Sequence, residues 1–190
     1  MSNIKILHQE TLSDNKFQLK NFTYLKPDAD GEMQEQKTEV YYRPAAAAIL
    51  LYDKEHQKIL LTRQFRLPTY LNGNESGYLT EACAGLIDEG ETPEETIIRE
   101  AKEELGIDIR NIDKTGAIYT SAGGITEYLH LFIGAYQSTA YKSTAGGLAA
   151  EGEVIEPVEL NFDEAKTMLK DGKFNDAKTV ILLQYYFLFC

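Results

Sequence analysis

The sequence predicts an α+β protein: a mixed β-sheet sandwiched between helices, with a small N-terminal β domain in front of it. Three observations carry that reading. Strand-like segments fill the first half of the chain with few helices among them. Helical segments gather late. The pattern changes at Pro44, which divides the chain into an N-terminal part, residues 1–43, and a larger part, residues 44–190. A chain of 190 residues suffices for one domain of ordinary size with an appendage. Apolar residues make up 43% and charged residues 26%, a balance that favours a globular core over disorder.

Residues 1–43 read as three strands, IKILHQ, KFQLKNFTYLK and QKTEVYYR, with turn chemistry at Pro27-Asp28-Ala29-Asp30-Gly31. So short a β segment cannot bury a core alone and must pack on the rest of the chain or on a second copy. AAAAILLYD and KILLTRQFR follow as two strands joined by Lys54-Glu55-His56-Gln57. GYLTEACAG alternates loosely between apolar and polar residues and reads as one further strand. Residues 93–105 are predicted helical, and GAIYTS and YLHLFIGAYQ are strands separated by AGGITE. STAYKSTAGGLAAEGE, rich in Gly, Ala, Ser and Thr, reads as a long mobile loop. VIEPVEL is the last strand, and FDEAKTMLKDG and DAKTVILLQYYFLF close the chain as two helices.

Net charge is −11, and an acidic surface repels phosphate backbones, so no nucleic-acid partner is expected unless a cation intervenes. The two cysteines, Cys83 and Cys190, do not make a disulfide framework and fit a reducing, cytoplasmic setting. MSNIKILHQE lacks the features of a signal peptide. The apolar tail VILLQYYFLFC is too short to span a bilayer, so it reads as a buried or interface helix and no membrane association is expected. His8, His56 and His130 are dispersed and suggest neither a zinc site nor a triad, and no GxGxxG supports a dinucleotide-binding unit.

The most informative stretch is GLIDEGETPEETIIREAKEELGI, Gly85 to Ile107, where eight acidic residues face only Arg99 and Lys102. Thr92-Pro93-Glu94-Glu95 spells a capping box with proline at the first helical position, and Gly106 is a C-terminal stop. Ile97, Ile98, Ala101 and Leu105 form an apolar stripe for the sheet. Glu100, Glu103 and Glu104 share another face, where each like-charge pair costs roughly 0.2–0.5 kcal/mol. Arg99 can offset part of this by pairing with Glu91 or with a helix glutamate. Divalent cations would relieve the rest, and clustered carboxylates suit Mg²⁺ or Mn²⁺ better than zinc. A glutamate-rich helix face taken alone is more often simply solvated.

The spacing around the helix is more specific. Gly85, five residues, Glu91, seven residues, then Arg99-Glu100-Ala101-Lys102-Glu103-Glu104-Leu105-Gly106-Ile107 resembles the Nudix box at every fixed position. The resemblance implies a Nudix hydrolase: a mixed sheet between helices, the box as loop–helix–loop, and hydrolysis of a nucleoside diphosphate linked to another moiety. It implies Glu100 and Glu104 as main metal ligands and catalytic groups, Glu103 assisting, and the Ala84 carbonyl as a further ligand, with Glu91 and Arg99 as a structural ion pair. Gly85 and Leu86, at the head of the box, are implied substrate contacts. Many relatives add a glutamate from a distant loop as base or extra ligand; Glu153 fits that pattern better than Glu151. Glu127 is implied as a substrate contact.

TRQFR, NGNESG, LTEACAG, LSDNKFQLKNFTY, SAGGITE and DAKTVILL are similar to the nucleotide-sugar branch of that superfamily, over almost the whole chain. This implies GDP-mannose as substrate, with ADP-ribose as the alternative, and a homodimer with exchanged N-terminal strands. Arg66 would grip a phosphate through its planar donor fork. Lys16, Lys37, Thr38 and Glu39 would line the site from the N-terminal domain, and Lys178 would approach from the last helix. Tyr41 and Tyr42 are candidates for base stacking, although aromatic strand residues are more often core. A sensor that binds a nucleotide sugar without cleaving it, and an acidic scaffold with a merely solvated helix, are the rival classes.

Overall fold

A computed structural model of the chain describes residues 3–141 and 154–190. The loop expected at STAYKSTAGGLAAEGE falls largely outside them, as do Glu151 and Glu153. The chain divides into two compact units, one of Met1–Ala45 with Tyr119–Tyr128, the other of Ala46–Ile118 with Leu129–Cys190.

The first unit is a three-stranded antiparallel sheet, β1 (Lys5–Asp14), β2 (Gln18–Pro27) and β3 (Met33–Tyr41), in that order. The β2–β3 turn is built by Asp28, whose carboxylate accepts from the backbone N–H of Asp30 and of Glu32 at 3.0 Å each, while Gly31 takes a φ of 88°. Residues 119–128 join this sheet at its β3 end. Tyr41 N donates to the Gly124 carbonyl at 2.8 Å, and Thr126 N donates to the Tyr41 carbonyl at 3.1 Å. The sequence carries no pattern that foretells this attachment.

The second unit contains a seven-stranded mixed sheet. Its strands are β4 (Ala46–Asp53), β5 (Lys58–Phe65), β6 (Tyr78–Glu81), β7 (Cys83–Leu86), β8 (Ile112–Tyr119), β9 (Tyr128–Ala135) and β10 (Glu156–Asn161). The path runs β10-β5-β4-β9-β8, with β4 and β9 parallel. Pro157 is tolerated because β10 ends this path, where one side of the strand needs no ladder donor.

GYLTEACAG is two strands rather than one. β4 and β5 pair only at Leu51–Asp53 with Lys58–Leu60; beyond that, β6 pairs with β5 and β7 with β4. The break at Ala82 therefore lets one segment line both sides of a divergence in the sheet. The sequence also misses α1 (Leu67–Leu71), a single turn with proline in its first positions, and the start of β8, which begins at Ile112 rather than at Gly116.

β4 is almost wholly buried, and its side chains alternate between two cores. Ala47, Ile49 and Leu51 pack with Ile97, Ala101 and Leu105 of α2 (Pro93–Leu105). Ala46, Ala48 and Leu50 pack with Ala165 of α3 (Phe162–Lys170) and with Leu182, Leu183 and Tyr186 of α4 (Ala177–Phe189). The sheet is thus sandwiched between α2 on one face and α3 and α4 on the other, the layered α+β architecture that the sequence predicts. Each fully buried leucine or isoleucine contributes roughly 1.5–3 kcal/mol of hydrophobic stabilisation. Cys83 is buried and Cys190 exposed, and both thiols are free.

Candidate active site

The site is built on the strand–loop–helix from β6 to α2. Both halves of the capping box form: the Thr92 hydroxyl accepts from Glu95 N at 3.2 Å, and the Glu95 carboxylate accepts from Thr92 N at 2.8 Å. Gly106 ends the helix in the left-handed region at φ 69°. The loop is tied to the helix by Arg99, which donates from Nε and Nη2 to the two oxygens of Glu91, each at 3.0 Å. These bonds, with one from the Thr96 hydroxyl, hold the Glu91 carboxyl down at about 2.

Arg99 does more than pair with Glu91. Its Nη1 also donates to Glu100 at 2.8 Å and to Glu103 at 3.1 Å. The helix glutamates therefore do not stand as one uncompensated face. Glu103 is turned outward onto the arginine, with its side chain 44% exposed. Glu104 turns inward and is only 7% exposed.

The inward turn of Glu104 is the unusual feature. A buried carboxylate is costly unless it is paired. Glu104 receives the thiol hydrogen of Cys83 from β7, yet its Oε2 is buried with no hydrogen-bond partner. Burial, above all, and then the nearby negative charges of Glu100 and Glu81 push its carboxyl up to about 7; the Cys83 thiol and the Arg66 guanidinium pull in the other direction. Burial likewise raises Glu100, with Arg99 opposing, and it raises the Cys83 thiol, next to Glu104. β7 leaves room for the carboxylates at Gly85, where a Cβ would run into the side chain of Glu100.

These residues fit a hard divalent cation. The donors are carboxylate oxygens, one of them unpartnered, with the Ala84 carbonyl adjacent to Gly85 as a neutral oxygen. Such a set suits Mg²⁺ or Mn²⁺ rather than a soft metal. Among the described residues no group of three or more acidic, histidine or cysteine side chains already converges as a metal site. Arg99 engages Glu100 and Glu103 there.

A second cluster adjoins the first within the same unit. Glu81, at the end of β6, is 2% exposed and accepts from Arg66 Nε at 2.8 Å and from Lys178 Nζ. Lys178 also donates to Asp176 at 3.0 Å. Among the sequence-predicted residues, the second unit therefore places Arg66 and Lys178 on one shared anion, and Ala84, Gly85, Leu86, Glu100 and Glu104 about the β7–α2 junction. In the first unit, Lys37 and Glu39 share one face of β3, Thr38 lies on the other, 3.3 Å from the Tyr24 hydroxyl, and Lys16 is exposed in the β1–β2 turn. Glu127, also there, accepts from Arg43 at 3.1 Å and from Thr120 at 3.0 Å. Tyr41 and Tyr42 stand edge-on or tilted to Phe17 and Phe22 in the same unit.

Glu81 and Cys83 are the neighbours of the site that the sequence reading passes over. The signal for Glu81 was present: an acidic residue in the strand LTEACAG, among residues that are otherwise apolar or small, is a buried charge in need of partners.

Fold and site together define a hydrolase module in which a capped acidic helix lies against a mixed sheet. Residues 41–183 match the NUDIX domain model, and the chain belongs to the Nudix family, which generally uses a divalent metal, Mg²⁺ or Mn²⁺, for catalysis. Residues 3–41 match the model described as the GDP-mannose pyrophosphatase NudK N-terminal domain. The chain is 45% identical over 183 residues to the GDP-mannose pyrophosphatase of Cronobacter sakazakii, covering 96% of this chain and 94% of that protein. It is 45% identical, again over 183 residues, to the one of Klebsiella pneumoniae, covering 96% of this chain and 91% of that protein. A solved structure titled "Crystal structure of ADP compounds hydrolase" superposes with a TM-score of 0.72 at 21% identity, covering 96% of this chain and 91% of that one, and supports the fold.

Proposed function

We propose that this protein hydrolyses the pyrophosphate bond of a nucleoside diphosphate sugar, GDP-mannose, to GMP and mannose 1-phosphate, with Mg²⁺ as cofactor. The observation that carries the proposal is the buried Glu104, with an unpartnered oxygen beside Glu100, in a chain similar over nearly its full length to GDP-mannose pyrophosphatases.

Glu100, Glu104 and the Ala84 carbonyl would hold the cation, with Glu153 joining and Glu103 assisting. A bound divalent ion neutralises pyrophosphate charge and lowers the pKa of water at neutral pH. Arg66 and Lys178 donate to phosphate oxygens, and Gly85 and Leu86 offer backbone to the substrate at the head of the loop. Glu153, or Glu151 in its place, accepts the proton of the attacking water. Lys16, Lys37, Thr38, Glu39 and Glu127 are further proposed contacts for the nucleotide sugar. Two copies exchanging N-terminal strands form the working dimer. Glu91 and Arg99 brace the loop and take no part in bond breaking.

The test is a panel of nucleoside diphosphate sugars, ADP-ribose included, incubated with Mg²⁺ and read by product mass. GDP-mannose is expected to give GMP and mannose 1-phosphate faster than any other member. Preference for ADP-ribose would replace the substrate; binding by calorimetry with no product from any member would replace the enzyme with a sensor.

A further inference from the structure

We propose that Glu81 is a positioning residue that holds Arg66 and Lys178 together as one cationic pair for the phosphates of the substrate. The proposal rests on the nucleotide-sugar reading above for the identity of that ligand, and on the following geometry for the role itself.

Arg66 follows β5 and Lys178 stands in the first turn of α4, so two distant parts of the chain bring like charges to one place. Left alone, they would repel and splay. The Glu81 carboxylate divides its two oxygens between them: Oε1 takes Arg66 Nε at 2.8 Å, and Oε2 takes Lys178 Nζ. Glu81 itself cannot drift, because it is 2% exposed and its backbone carbonyl accepts from the Thr62 hydroxyl at 3.1 Å.

Lys178 is fixed from the other side as well. Asp176 accepts from its Nζ at 3.0 Å while capping α4 through Thr179 N at 3.0 Å. The Thr179 hydroxyl donates to Asp176 at 2.6 Å and accepts from Ala82 N at 2.7 Å. Ala82 follows Glu81 and precedes Cys83, the residue whose thiol meets Glu104. The cation pair and the carboxylates of the box are thus referenced to the same few residues of backbone. Arg66 keeps its side chain 38% exposed, so the cluster opens to solvent on the arginine side.

A carboxylate beside two phosphate-binding cations has two opposite effects. Its charge repels a phosphate, and its hydrogen bonds place the donors. The sign of a substitution separates them. Glu81→Gln keeps the shape and removes the charge. A role through charge alone would leave pyrophosphate binding tighter, whereas a positioning role weakens it.

The experiment measures calorimetric binding of inorganic pyrophosphate at fixed Mg²⁺, and steady-state turnover of GDP-mannose, for the full chain and for Glu81→Gln. The expected result is a Kd for pyrophosphate and a KM for GDP-mannose each raised about tenfold, a larger change than any fall in kcat. Glu81→Asp, which keeps the charge but shortens the reach, covers the case in which the glutamine variant fails to fold; it is expected to weaken pyrophosphate in the same direction. Unchanged or tighter pyrophosphate binding in a folded variant overturns the proposal. A wild-type protein that cleaves no nucleotide sugar, yet binds pyrophosphate with this dependence on Glu81, sinks the substrate reading while leaving the positioning role in place. Absence of both turnover and pyrophosphate binding in the wild type overturns both.

Discussion

Glu104 is buried beside Glu100 and Glu81, and burial chiefly lifts its carboxyl from the ordinary 4.5 to about 7. The native state therefore binds this proton more tightly than the unfolded chain does. For a carboxyl raised in this way, the favourable contribution is complete below about pH 4.5 and is lost as pH rises through about 7. The loss amounts to about 3 kcal/mol on this scale. Without metal, the melting temperature of the wild type is expected to fall relative to that of Glu104→Gln between pH 5 and pH 8, because the glutamine has no proton to lose. Adding Mg²⁺ at pH 8 is expected to restore the difference by mass action, since the cation binds the native carboxylates and not the unfolded chain. Parallel pH curves for the two proteins, with no response to Mg²⁺, would remove Glu104 from the metal site. The same residue shows a limit of reading helix faces from spacing. Glu100, Glu103 and Glu104 fall together by periodicity, but Glu103 turns out to Arg99 and Glu104 turns in to Cys83.

At the scale of elements, α2 was the easiest to read. Its capping box, first-turn proline and glycine stop are local signals, and all of them form as written. The division of GYLTEACAG into β6 and β7 was not legible, because it depends on β4 and β5 diverging elsewhere in the sheet. β1 raises a different question. Nearly all of its residues are exposed, including Ile4 just before it and Ile6, each at 54%, and Leu7 and Leu12 at 44%. A two-sided strand with open apolar residues invites pairing with another chain. The proposed exchange of N-terminal strands would cover it. Light scattering at micromolar concentration is expected to give twice the mass of one chain, and deletion of residues 1–43 is expected to abolish it. A well-folded monomer at that concentration would count against the exchange.

At the scale of the whole molecule, the sandwich of mixed sheet and helices was readable from strand order and late helices, and the box pointed to the candidate site. Contacts across large sequence separations were not readable. Glu81 gathers Arg66 and Lys178 from separate elements, and no local pattern announces that meeting. The 119–128 segment joins the N-terminal sheet through backbone bonds to Tyr41 and through the side chains of Thr126 and Glu127 to Arg43, partners more than eighty residues away in sequence. Among the described residues, no helix is long and apolar enough to cross a membrane, and the apolar tail instead packs Leu182, Leu183 and Tyr186 against the sheet.

The central claim is that a divalent ion held by Glu100 and Glu104 activates the pyrophosphate. Turnover of GDP-mannose by Glu104→Gln at saturating Mg²⁺ tests it most directly. With the fold intact by circular dichroism, kcat is expected to fall by at least about a hundredfold. A folded variant that releases GMP at the wild-type rate would contradict it.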